Sequence, residues 1–183
     1  MKKILIALIV FLCVIMTFFY FKDTNKYDFV LNSEFGENTT LSTFKGKKLI
    51  IYFGYTFCPD VCPATLVVLA QELEKLENKD AYLLFVSLDI ERDKDIKKTN
   101  EWLRYFYPNS TSLIASNEKT LQKIANNYGV KYHKVDLHDS FMQYSVAHSN
   151  ALYFIDENGN FWGDITNLDP EELQDTLKKF LQG

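Results

Sequence analysis

The stretch Lys48-Leu49-Ile50-Ile51-Tyr52-Phe53-Gly54 runs directly into Tyr55-Thr56-Phe57-Cys58-Pro59-Asp60-Val61-Cys62-Pro63. Its first half is an unbroken apolar run of strand length, as expected of a strand buried on both faces. Its second half carries two cysteines and leads into a helix predicted over 65–76, where Leu66, Leu69, Leu73 and Leu76 recur at helical spacing. The alternation continues downstream. A second buried strand is predicted over 81–88 and a helix over 93–105, stopped before Pro108. A short strand over 112–115 precedes a helix over 118–128, capped by Asn117 and closed by Gly129. Residues 131–146 lack helical period and are expected to form an inserted hairpin or loop. A strand over 150–155 turns at Asn158-Gly159 into Phe161 and Trp162. Asp169-Pro170 then opens a last helix with Leu173, Leu177, Phe180 and Leu181 on one face. Upstream of the opening strand, 29–31 and 39–41 flank Gly36-Glu37-Asn38 as a hairpin. Strands alternating with helices predict an α/β fold with a central, mainly parallel sheet and helices on both faces.

With 47% apolar and 15% aromatic residues among 183, the chain can fill one core, which excludes a disordered tail, a collagen-like chain and a disulfide-rich miniprotein. A net charge of −4 gives no reason to expect nucleic acid as a partner. The run 4–21 carries no charge over 18 residues. As a helix it would be about 27 Å long, near the hydrocarbon thickness of a bilayer. Lys2 and Lys3 precede it, as on the cytoplasmic flank of a first helix. A cleaved signal peptide would end in small residues, whereas Thr17-Phe18-Phe19-Tyr20-Phe21 is bulky. A lipid-modified Cys13 would follow a small residue, and Leu12 stands there. The expectation is an uncleaved single-pass anchor over 1–21, a tether over 22–28 and a domain over 29–183. That domain would lie on the outer side of the cytoplasmic membrane, a compartment that permits disulfides.

The three cysteines therefore divide unequally. Cys13 falls in the anchor, and only Cys58 and Cys62 remain for the domain. One local pair closes a tiny loop and constrains the unfolded chain little, so a structural staple explains it poorly. Residues four apart share a helix face, which would let both sulfurs point the same way. A helix N-terminus also favours thiolate, the nucleophile and the metal ligand. Two thiolates suit Cu(I), Zn(II) or iron–sulfur. Structural zinc takes four ligands and a cluster takes more thiolates, yet the domain has no second cysteine pair. A pair of cysteines with one histidine would suit three-coordinate Cu(I). His133, His138 and His148 are the candidates. His148 lies just before the 150–155 strand, beside the helix start, while His133 and His138 are expected in a solvated loop.

Three blocks carry a family resemblance: Gly54 through Pro63, Val86-Ser87-Leu88-Asp89 with Glu91-Arg92-Asp93, and Val146-Ala147-His148-Ser149. In this order and spacing the chain, from about Phe29 to its C-terminus, resembles the Sco/SenC family of membrane-anchored copper proteins. The resemblance implies a thioredoxin-like fold, with copper, as Cu(I) or Cu(II), bound by Cys58, Cys62 and His148. It implies supporting roles for Asp60 and Asp89 in orientation and electrostatic tuning. Phe57 stands where relatives often carry a histidine, which removes a peripheral ligand. Ordinary thioredoxins pair C-x-x-C with a cis-proline; this chain has C-x-x-x-C, and His148-Ser149 precede Asn150 in place of a proline. That favours metal binding over broad thiol exchange. The implied function is a copper chaperone that delivers copper to a cytochrome c oxidase subunit with a CuA-type site. Its partners would be that subunit and an upstream copper donor or thiol reductant. The alternative is a thiol–disulfide oxidoreductase in which Cys58 and Cys62, as a redox pair, reduce the receiving subunit's cysteines. A third reading is an interaction module with an inert disulfide.

Overall fold

The computed structural model describes residue 11 and residues 25–77, 80–138 and 140–183. The expected anchor over 1–21, Phe11 apart, lies outside the described residues, as do Cys13 and the first part of the tether. Among the described residues, no helix is long and apolar enough to cross a membrane.

A small antiparallel hairpin, β1 (Leu31–Ser33) and β2 (Gly36–Thr39), comes first. A short 3-10 turn, Leu41–Phe44, leads from it to β3 (Leu49–Gly54), the apolar run on which the sequence reading rests. Every residue of β3 is buried. It is followed by α1 (Val61–Lys75), β4 (Tyr82–Ser87), α2 (Ile96–Phe106), β5 (Ser110–Leu113) and α3 (Glu118–Tyr128). A hairpin of β6 (Tyr132–Asp136) and β7 (Tyr144–His148) is inserted before β8 (Leu152–Ile155), β9 (Phe161–Ile165) and α4 (Pro170–Gln182).

The central sheet has the order β5-β4-β3-β8-β9. β3 is parallel to β4, and β4 to β5, but β8 runs antiparallel to β3 and to β9. The sheet is thus mixed, not mainly parallel as expected. The reason lies in the connection after α3. The chain crosses to the C-terminal end of β3, makes β6 and β7 there, and enters β8 at Leu152 opposite Tyr52. From that end it can only run back, so Ile155 finishes opposite Leu49.

Alternation along β3 sorts its side chains between two helical layers. Phe53 meets Tyr128 of α3, with ring centroids 5.2 Å apart, and Tyr128 meets Tyr153 of β8 at 5.3 Å. Tyr52 faces the other layer, where Phe85 packs on Trp102 of α2 at 5.5 Å and Phe154 on Phe180 of α4 at 5.0 Å. Helices therefore cover both faces, as expected. Each fully buried aromatic or leucine in these layers contributes roughly 1.5–3 kcal/mol. Asn25 and Tyr27, expected within the tether, lie against the domain. Asn25 Nδ2 donates to the Gly159 carbonyl, and the Tyr27 ring stacks on Phe161 at 4.1 Å.

Gly54, the last residue of β3, is where the fold meets the cysteine motif. A Cβ there would lie 3.0 Å from the Phe85 ring, 3.1 Å from Cys62 Sγ and 3.1 Å from the Tyr52 ring. All three neighbours are buried and held in the core, so Gly54→Ala overpacks the site floor. We expect it to lower unfolding free energy in urea by about 1–3 kcal/mol.

Candidate metal centre

Cys62 occupies the second position of α1 and is fully buried, whereas Cys58 lies three residues before the helix and is half-buried. The two therefore do not share a helix face, as the spacing alone suggested. The helix starts earlier than predicted, at Val61, because Pro63 falls within the first turn and displaces no intrahelical hydrogen bond. A turn joins the pair instead. Cys58 N–H donates to the Tyr55 carbonyl at 3.3 Å, and Cys62 N–H donates to Cys58 Sγ at 3.4 Å. That sulfur satisfies one of the orphan amides at the start of α1. Asp60, the N-cap residue, makes no capping bond with its side chain and is exposed.

The third candidate arrives from far along the chain. His148 ends β7, and its Nε2 lies 3.4 Å from Cys62 Sγ. Its Nδ1 is 2.9 Å from the Ser149 carbonyl oxygen. A carbonyl only accepts, so Nδ1 carries the proton and Nε2 presents a lone pair toward the sulfur. A backbone partner that fixes the ring in this way is the usual support of a metal-binding histidine. The ring is flanked edge-on by Tyr52 and Tyr55, with centroids 6.5 and 6.1 Å away. The segment after His148 is tied down twice. Asn150 Nδ2 donates to Thr65 Oγ1 of α1 at 3.2 Å, and Ser149 exchanges two bonds with Lys131.

Burial sets the protonation states here. It pushes the Cys62 thiol up to about 12, with the neighbouring Cys58 adding to the rise. The helix start, expected to favour thiolate, is outweighed at Cys62 by desolvation. Burial also lowers the His148 pKa, against the opposing pull of the Ser149 carbonyl, so the imidazole is neutral at neutral pH. Tyr52 lies beneath, its hydroxyl pushed well above the ordinary tyrosine range first by burial and then by Cys62. That hydroxyl is buried, and among the described residues no group meets it in hydrogen-bond geometry.

Cys62 and His148 are thus brought together. Among the described residues, no three His, Cys, Asp or Glu side chains are gathered closely enough to enclose an ion as they stand. Cys58 Sγ, which accepts the Cys62 N–H, is the nearest further soft donor. The donors fit a soft cation: two sulfurs and an imidazole lone pair, with an S···N separation that ligand bonds of about 2.0–2.3 Å can span. His133 is exposed on β6 opposite Ala147, and His138 is exposed in the turn, so neither joins the site.

Asp89 is buried, and its Oδ1 accepts the Tyr144 hydroxyl at 2.9 Å, which ties β7 to the loop after β4. Sequence reasoning missed Tyr144, Thr65, Asn150 and the two flanking tyrosines. Tyr52 and Tyr55 stood within the motif stretch, but nothing in their spacing showed that an imidazole would be set between them.

The SCO1/SenC family profile matches residues 20–182. The chain belongs to the SCO1/SenC family. It is 32% identical over 154 residues to an SCO2-like protein of Rickettsia felis, covering 82% of this chain and 74% of that protein. It is 35% identical over 136 residues to the mitochondrial SCO1 homolog 1 of Arabidopsis thaliana, covering 73% of this chain and 40% of that protein. The structure is similar to Arabidopsis thaliana ScoI with copper bound, with a TM-score of 0.76 and 33% identity, covering 85% of this chain and 96% of the other. It is also similar to Bradyrhizobium japonicum ScoI with copper bound, with a TM-score of 0.68 and 32% identity, covering 84% and 97%. The fold is the thioredoxin-type α/β fold of Sco proteins, with a mixed central sheet.

In this Sco-family chain the loop before Cys58 hangs on one buried carboxyl. Asp93 accepts from Thr56 Oγ1, from Thr56 N–H at 3.2 Å and from Ser87 Oγ at 2.7 Å. Burial raises its pKa despite these donors. Asp93→Asn places an amide N–H₂ against one donor and should cost about 1–3 kcal/mol. Because the folded pKa is raised, the carboxyl's contribution is complete below the unfolded value of about 3.9 and is lost as pH rises through the folded value. The advantage of wild type over Asp93→Asn in urea unfolding is therefore larger at pH 4 than at pH 8.

Proposed function

We propose that this chain binds one copper ion through Cys58, Cys62 and His148. It would pass that ion to the copper-receiving subunit of a cytochrome c oxidase on the outer side of the cytoplasmic membrane, held there by an anchor over 1–21. The observation that carries the reading is the His148 Nε2 lone pair aimed at Cys62 Sγ from 3.4 Å, with Nδ1 committed to a backbone carbonyl. The similarity to copper-bound ScoI structures supports copper as the ion.

The residues divide the work unequally. Cys62 and His148 form the inner, desolvated side of the site, and a cation there would stabilise the Cys62 thiolate that burial otherwise disfavours. Cys58 is the donor nearest solvent. A thiolate of the receiving subunit can displace Cys58 first, then Cys62, so the ion is never without ligands. A three-donor set leaves room for that exchange, which a closed four-ligand cage would not. The alternative, reduction of the partner's disulfide by Cys58 with Cys62 resolving, uses the same thiols but gives His148 no part. The placement of the imidazole favours the copper reading.

Full-length protein, solubilised in detergent and kept reduced and anaerobic, should bind one Cu(I) in competition with a chromophoric chelator. Cys58→Ser and Cys62→Ser should abolish tight binding. His148→Ala should weaken it by about ten-fold or more, and binding by His148→Ala as tight as wild type would overturn the three-ligand site.

A further inference from the structure

We propose that Arg92 is a positioning residue for His148: it clamps the β6–β7 hairpin to the loop between β4 and α2 and so sets where the imidazole lies. The proposal rests on the copper reading above and adds to it a residue that no ligand set contains.

The hairpin needs such a clamp. Among the described residues β6 and β7 pair only with each other, outside the central sheet. An isolated two-stranded ribbon is marginally stable in water. Of the residues in the two strands, Val146 alone is buried, with Tyr132 and Tyr144 packed partly against the core, so apolar contact anchors the hairpin only sparsely. Its base is held by the Lys131–Ser149 and Asn150–Thr65 bonds already described. Its other end is held by Arg92.

Arg92 stands in the loop between β4 and α2. Its Nη2 donates to the Met142 carbonyl at 2.7 Å and to the Tyr144 carbonyl at 3.0 Å. The guanidinium carbon is 3.5 Å from the centroid of the Tyr144 ring and 5.2 Å from that of Phe57. Its Nε is 3.5 Å from Oδ2 of Asp89, whose side chain is fully buried. The other carboxylate oxygen takes the Tyr144 hydroxyl. Asp89 is itself fixed by its own N–H on Ser87 Oγ at 3.1 Å. One loop therefore grips Tyr144 by its ring, its hydroxyl and its carbonyl, and the same guanidinium lies within cation–π range of Phe57, the residue next to Cys58.

Tyr144 and His148 lie four apart on one strand, hence on the same side of it and about 13 Å apart. A shift at Tyr144 is carried along this short lever to the imidazole. Lysine cannot substitute. An ammonium could reach the two carbonyls, but it has no flat face to lay on the Tyr144 ring and no second nitrogen to set beside Asp89.

The test is Arg92→Lys, made alone and together with His148→Ala. Cu(I) affinity is measured by chelator competition, and amide hydrogen exchange is followed in the copper-free proteins. The clamp requires Arg92→Lys to weaken Cu(I) binding by about ten-fold when His148 is present and by nothing further in the His148→Ala background. It also requires faster exchange in β6 and β7 with β3 and β4 unchanged. Equal losses in both backgrounds, or unchanged exchange in the hairpin, would overturn it. Should His148→Ala alone leave Cu(I) affinity unaltered, the copper site is what fails, and the exchange data still judge the clamp. If Arg92→Lys does not fold, Tyr144→Phe removes the hydroxyl's bonds to Asp89 and Glu91 while keeping the ring, and must show the same pattern at smaller size.

Discussion

The 3.4 Å approach of His148 Nε2 to Cys62 Sγ spans 86 positions in sequence, and the arrangement of the site follows from what makes it possible. The imidazole cannot be supplied locally, because no histidine lies near the cysteine motif. It is delivered by a hairpin inserted at the C-terminal end of β3. That insertion also dictates the antiparallel return of β8. The mixed sheet and the site are thus two consequences of one connection.

Burial then gives the site its chemical character. In the copper-free protein Cys62 holds its proton, His148 is neutral and the Tyr52 hydroxyl is buried beneath them. Nothing on the inner side carries charge. A soft cation would bring the charge that this environment lacks and would release the Cys62 proton. Cys58 differs in kind. It is half-buried, lies outside the helix and caps an amide with its sulfur. The inner pair suits holding an ion, and the outer sulfur suits exchanging it.

Much of this was legible in the sequence. The apolar run of β3, the β/α alternation, the Asn117 and Asp169 caps and the Asn158-Gly159 turn all formed where local chemistry placed them. The insertion over 131–146 was read as a hairpin or loop, and it is a hairpin that extends to His148. Strand direction was not legible, because a four-residue buried strand such as Leu152–Ile155 has the same composition either way round. β5 begins two residues before the expected 112, since Ser110-Thr111-Ser112 looks polar yet is fully buried, with Ser112 N–H on Asn100 Oδ1. Thiolate stabilisation at Cys62 does not follow from the sequence, because a helix start is visible there but the depth at which it is buried is not. The Arg92–Tyr144 contact joins a loop to a strand far along the chain, and no local pattern announces it.

The central claim is that Cys58, Cys62 and His148 bind one copper ion together. X-ray absorption at the copper edge of the Cu(I)-loaded, full-length protein tests it most directly. The account requires two sulfur donors and one imidazole nitrogen in the wild type, with loss of the nitrogen alone in His148→Ala. A copper ion held by sulfur only in the wild type, or an imidazole signal that survives His148→Ala, would contradict it.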